Sequence, residues 1–300
     1  AMLSTPRVAF AAPILLPPAP VTWTSEAPAP AKLQPACPAA PCRAPLEAGA
    51  RVRIGGRGYR VEAALGEGSF GAVWAAVDDF CGQAAIKEIH CRSESELLRA
   101  AAERQFLQFL GRQLFFGGGD GESDEAKRRM PALIASEVEA VGPGQWRVCL
   151  AMTRVPGSPL EEVLMERELP HRLRPASGDE QCACFANACH YVLDLLRQLA
   201  PALEHISARA FHRDITPRNI LVDERGGQGP RFGLVDFGLA VDASRWRSEY
   251  LVSDIGGDGH YWPPSAWVVF AHGAQELQQH PTLAEEYQTC LDIHGLGITA

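Results

Sequence analysis

His212-Arg213-Asp214-Ile215-Thr216-Pro217-Arg218-Asn219, with Asp236-Phe237-Gly238 downstream, is the stretch on which the fold turns. Between the two runs lie Ile220-Leu221-Val222-Asp223, a turn-rich 224–230 and the apolar Phe232-Gly233-Leu234-Val235. This pattern predicts two short strands around a turn, with a polar cluster before each. Asp214 and Asn219 stand five residues apart, and Asp236 follows the second strand. One carboxylate can orient a hydroxyl. An amide oxygen and a second carboxylate can hold Mg²⁺ against triphosphate oxygens, as phosphoryl transfer requires.

Upstream, Leu65-Gly66-Glu67-Gly68-Ser69-Phe70-Gly71-Ala72-Val73 is a GxGxxG run. A dinucleotide site would open a helix after such glycines. Here Ala72-Val73-Trp74-Ala75-Ala76-Val77 suits a strand, so the glycines form a hairpin whose N–H groups can approach phosphate. Next comes Ala84-Ala85-Ile86-Lys87. A lysine ending an apolar strand is a point charge aimed at phosphate oxygens.

These runs, in this order, resemble a divergent eukaryotic protein kinase. The resemblance extends from about residue 52 to the C-terminus. It implies a two-lobed α+β fold. A small β-rich lobe with one main helix would occupy about 52–156, and a mostly helical lobe about 157–300. It also implies ATP and Mg²⁺ as cofactors and transfer of the γ-phosphoryl group to a Ser/Thr hydroxyl of a protein whose identity the sequence does not give. Two alternatives stand beside this: a scaffold that binds nucleotide without efficient transfer, and a small-molecule kinase of the aminoglycoside-phosphotransferase kind. The complete Asp-Phe-Gly and Arg213 argue against the latter.

By the resemblance, Asp214 is the residue that orients the attacking hydroxyl, and Asn219 and Asp236 share the metal. Lys87 takes the phosphates and pairs with a glutamate of the next helix. Of Glu94, Glu96 and Glu103, the last fits best, with apolar residues three and four positions on. Leu65, Gly66, Gly68, Ser69 and Gly71 cover the nucleotide. Val73, Ala85 and Leu221 line the adenine slot, and Met152 stands at its rear wall. His212, Phe237 and Leu107 belong to an apolar column between the lobes. Arg213 meets a phosphorylated residue of the segment 239–264, with Ser244, Ser248, Tyr250 and Ser253 as acceptors.

The chain departs from the family in places. Thr216 stands where serine/threonine kinases usually have lysine. Asp258 falls where threonine often bridges to the catalytic aspartate, so its carboxylate is expected to repel Asp214. Ser265 replaces the glutamate of the Ala-Pro-Glu run. Against the family, the chain stops a few turns into a helix carrying Asp292, so the large lobe reads as truncated and Leu296 and Ile298 as exposed.

The 300 residues are 46% hydrophobic and 21% charged, which suits a packed core. A net charge of −8 carries no general nucleic-acid footprint. No apolar run reaches the roughly 20 residues that span a bilayer. Nine cysteines without framework spacing suit reduced thiols in a cytoplasmic or nuclear protein. Cys182, Cys184 and Cys189 match no common zinc spacing. Residues 1–48, rich in Pro and Ala, are expected to stay disordered. Ser93 and Glu96 form a capping box opening a helix. Residues 131–138 and 146–152 read as strands, 117–127 as a loop, 155–160 as a hinge, and 185–206 as a long amphipathic helix.

Overall fold

The computed structural model describes residues 45–68, 71–116, 129–165, 180–225 and 229–300. Ser69, residues 1–44 of the Pro- and Ala-rich stretch, the 117–127 loop and the side chains of Cys182 and Cys184 lie outside them.

The N-terminal half is an antiparallel sheet. Its strands are β1 (Arg51–Ile54), β2 (Arg57–Gly68), β3 (Gly71–Asp78), β4 (Gln83–Cys91), β5 (Leu133–Gly142) and β6 (Gln145–Thr153), in spatial order β1-β2-β3-β4-β6-β5. Helix α1 (Glu94–Phe116) joins β4 to β5. The glycine run bends as a hairpin: Gly66 faces Val73 and Gly68 faces Gly71.

Side chains alternate across a strand, so each register assigns a face. Val73 lies opposite Lys87, Ala85 opposite Met152, and Lys87 opposite Leu150. All five therefore share the inner face, where Ala85, Ile89, Val148, Leu150 and Met152 join the main core. The outer face carries Ala76, Ala84, Ile86, Cys149 and Ala151, covered by Val52, Ile54, Tyr59 and Val61 of the first hairpin. Lys87 is thus mid-strand and not at a strand end. The strand continues because Glu88 finds Arg147 as a buried partner and Ile89 and Cys91 are buried in turn.

Leu46 lies within the stretch expected to be disordered. It is buried in the outer cluster, and its N–H donates to Glu88 Oε2 at 3.1 Å. An apolar side chain covering the sheet, with its amide satisfied, fixes the chain there despite the composition upstream.

Beyond the hinge come β7 (Ser158–Pro159), α2 (Leu160–Met165) and the long α3 (Glu180–Ser207). Then follow β8 (Ala210–Phe211), β9 (Ile220–Asp223), β10 (Arg231–Leu234) and β11 (Val241–Asp242). β9 pairs antiparallel with β10, as the two expected strands should. Leu195, Leu199, Leu203 and Ile206 of α3 bury one stripe in the main core. The last elements are α4 (Ala243–Glu249), a 3-10 turn (Gly259–Tyr261), α5 (Pro264–His272), a 3-10 stretch (Ala274–Gln279), α6 (Pro281–Thr289) and α7 (Leu291–Thr299). Pro264 and Pro281 open their helices at the position where a missing N–H costs nothing.

Leu296 is not exposed as expected. It is fully buried in the main core, whereas Ile293 and Ile298 are half exposed. No helix among the described residues is long and apolar enough to cross a membrane.

Candidate active site

Ser93 caps α1: its Oγ accepts from Glu96 N–H at 3.3 Å. The Glu96 carboxylate accepts from Arg92 N–H at 2.6 Å, one residue before the capping-box position. With the helix start fixed, Ala100, Glu103, Phe106, Leu107 and Leu110 fall on one buried stripe. Glu94 and Glu96 are left at the solvent end. Glu103 therefore meets Lys87, and both side chains are almost wholly buried.

Lys87 Nζ donates to Glu103 Oε1 at 2.7 Å and Oε2 at 3.0 Å, and to Asp236 Oδ1 at 2.7 Å. Burial acts against the ammonium charge, but the two facing carboxylates outweigh it and hold its pKa above the ordinary value. Burial raises the Glu103 carboxyl, and Lys87 offsets this only in part. For Asp236 burial also acts upward, yet contact with Lys87 wins and its carboxyl stays below the usual range. Asp236 has φ 62° and Arg213 φ 68°, conformations that non-glycine residues adopt at a cost of order 1–3 kcal/mol.

Asp292 supplies part of what holds the Arg213 backbone. Its Oδ2 accepts from His212 N–H and its Oδ1 from Arg213 N–H, each at 2.7 Å. His212 Nε2 lies 3.0 Å from the Val235 carbonyl, which can only accept, so Nε2 carries the proton. Its Nδ1 then accepts from Asp214 N–H at 3.3 Å. The His212 ring packs on Phe237 at 4.7 Å between centroids. Phe106 lies 4.8 Å from Phe237 on another side, and Leu107 joins the same core. Phe106 makes the ring contact in this column, a role the sequence reading assigned to no residue.

Asn219 Nδ2 donates to Asp214 Oδ2 at 2.8 Å and to the Asp214 carbonyl at 2.9 Å. With the amide nitrogen spent this way, the carbonyl oxygen is the Asn219 atom left to serve as a hard donor. Burial raises the Asp214 carboxyl above its ordinary value, and nearby Asp236 adds to this.

Val73, Ala85 and Met152 pack together on the inner sheet face. Leu221 is half-buried on the face of β9 opposite the buried Ile220 and Val222, with Pro159 and Gly233 as its register neighbours. Leu65 is exposed at a bulge between Ala64 and Gly66. Gly71 has φ 139°, and a Cβ there would collide with the Glu88 carbonyl oxygen. Close crossing of β4 is thus sufficient reason for glycine at this position.

The departures from the family take unexpected forms. The Asp258 carboxylate does not face Asp214. It accepts from His260 N–H at 3.0 Å and pairs with the His260 ring at 2.7 Å, contacts that hold its carboxyl below the usual range. Asp258 meets Asp214 through its backbone N–H, 3.2 Å from Oδ1, so the expected repulsion becomes a hydrogen bond. Ser265 is fully buried, and its N–H donates to Glu286 Oε2 at 2.9 Å. A carboxylate from α6 thereby caps the start of α5. Nothing in the sequence marks Glu286, because its partner is a backbone amide. Arg213 also escapes the expected arrangement: its Nη2 donates to the Asp254 carbonyl at 2.7 Å, and Tyr250, one of the expected phosphate acceptors, is buried.

Two comparisons bear on this geometry. Residues 172–246 match the family described as APH, phosphotransferase enzyme family. Over 233 residues the chain is 27% identical to a calcium/calmodulin-dependent protein kinase kinase, cmkC, of Emericella nidulans. That alignment takes in 72% of this chain and 42% of the relative, so the chain spans less than half that protein's length. The family match takes in the stretch from His212 to Gly238, which carries Asp214, Asn219 and Asp236. Within these limits the chain is similar to a phosphotransferase family and to a protein kinase kinase.

Proposed function

We propose that the chain is an ATP- and Mg²⁺-dependent protein kinase that phosphorylates Ser/Thr hydroxyls. The observation that carries this reading is the pairing of buried Lys87 with both Glu103 and Asp236, beside the bonded pair Asp214 and Asn219. The donor chemistry fits the metal. Asp236 offers a carboxylate and Asn219 a carbonyl oxygen. The described residues include no cluster of three or more His, Cys, Asp or Glu that could hold a metal. Mg²⁺ suits such a sparse set, since it takes its other ligands from phosphates and water. When bound, it would neutralise phosphate charge.

In this reading Lys87 draws in the phosphate oxygens, and Glu103 keeps its ammonium directed. Asp214 orients the acceptor hydroxyl and takes up its proton, in a position set by Asn219 and the Asp258 amide. Val73, Ala85 and Met152 offer an apolar surface to the base.

The test is transfer from labelled ATP to a panel of protein acceptors, with Asp214→Asn as the control. We expect Mg²⁺-dependent labelling on serine or threonine, reduced roughly 10²–10⁴-fold in the variant. Labelling that survives Asp214→Asn would defeat the reading. A second reading, transfer to a small-molecule hydroxyl, is favoured by the match of residues 172–246 to the phosphotransferase family. Labelling of amino-alcohol acceptors in place of proteins would select it. A thermal shift with Mg·ATP and no labelling of any acceptor would leave nucleotide binding alone.

A further inference from the structure

A phosphate was expected opposite Arg213, but that space is occupied by aromatic side chains. The guanidinium carbon lies 4.5 Å from the Trp246 ring centroid. The Tyr287 hydroxyl lies near the guanidinium, and Nη2 donates to the Asp254 carbonyl. Trp246 and Tyr287 are each 1% exposed, with ring centroids 5.5 Å apart. Tyr250 closes the group at 6.4 Å from Trp246 and 6.0 Å from Tyr287. Trp246 Nε1 donates to the Tyr287 carbonyl at 3.3 Å, which ties α4 to α6. Gly257, at φ 84°, crosses so close to Arg213 that a Cβ would strike its carbonyl oxygen.

The hydroxyls nearby face elsewhere. Ser244 Oγ donates to Asp242, Ser248 Oγ to the Arg245 carbonyl at 3.0 Å, and Ser253 Oγ to the Glu249 carbonyl at 2.7 Å. None of these three hydroxyls bonds to Arg213. A buried indole can hold a guanidinium by stacking and by cation–π attraction, which strengthens when water is excluded.

We propose that Trp246 and Tyr287 are positioning residues that lock Arg213, and with it the Asp214 loop and the segment 239–264, without phosphorylation. The proposal rests on the kinase reading for one of its readouts and is independent of it for the other. Wild-type protein treated with phosphatase, and a variant combining Ser244→Ala, Ser248→Ala and Ser253→Ala, should keep turnover within about twofold. Trp246→Leu should lower kcat by about tenfold or more at unchanged KM for ATP, and Trp246→Phe, which restores a ring face, should recover most of it. Tyr287→Phe should fall between them. Limited trypsin cleavage after exposed Arg245 and Arg247 should accelerate about tenfold in Trp246→Leu and not in Trp246→Phe. Loss of turnover on phosphatase treatment would overturn the proposal, as would wild-type rates of both turnover and cleavage in Trp246→Leu. If the wild type transfers phosphate to no acceptor, the kinase reading fails, and the trypsin comparison still decides whether the clamp exists.

Discussion

The cluster around Lys87 and the segment beyond Asp236 meet at one site but are built by different rules. Around Lys87, side chains bond to side chains: an ammonium, three carboxylates and an amide, with Lys87, Glu103 and Asn219 buried. Beyond Asp236, backbone amides take over. Asp258 supports Asp214 through its N–H, and Glu286 caps the N–H of Ser265. A buried charge needs a specific opposite charge, so the first region tolerates little change in residue type. A backbone amide belongs to any residue but proline, so positions 258 and 265 of the second can change side chain and keep these contacts.

The widest separation between the two should come from Lys87→Met. It leaves Glu103 buried and unpaired, and unfolding in urea should show a loss of roughly 3–5 kcal/mol. Adding Glu103→Gln should recover part of this loss, because the buried charge is then gone. Equal stability of the single and double variants would break the contrast.

The pH dependence is the next test. In the proposed reaction Asp214 acts ionised, and burial raises its carboxyl above the ordinary 3.8. The acid limb of kcat/KM should therefore lie above the ordinary aspartate range, with rate falling as pH drops through it. A limb at or below that range would show the carboxylate to be solvated.

In the backbone-supported region the effects should be smaller. Glu286→Ala removes a cap and should cost about 1 kcal/mol in a thermal denaturation series. Asp258→Asn should change turnover by less than about threefold, since the amide that touches Asp214 is kept. A loss on the scale of Asp214→Asn would make the Asp258 carboxylate part of the chemistry and collapse the distinction.

Much of the fold was legible in the residues. The alternation in 220–235 gave β9 and β10, and the strand-like run after the glycines gave the hairpin. The Ser93 cap and the apolar spacing after it singled out Glu103 over Glu94 and Glu96, and Lys87 pairs with it. Less legible was where β4 would end, because Glu88 reads as a polar stop until Arg147 is placed beside it. Leu221 was assigned by position in a motif, and the pleat of β9 places it on the face opposite buried Ile220 and Val222. Glu286, Trp246 and Tyr287 escaped notice because each acts on residues between 21 and 74 positions away in the chain.

By itself, the sequence determined which chemical groups are present and where local periodicity would place strands and helices. It does so because short-range patterns such as caps, pleats and glycine turns are settled by neighbours in the chain. Only the tertiary structure decided what faces Arg213, that Asp258 would support Asp214 and not repel it, and which carboxylate would cap α5. Those outcomes depend on through-space contacts between distant segments, whose energies are fixed by burial and orientation and not by residue order.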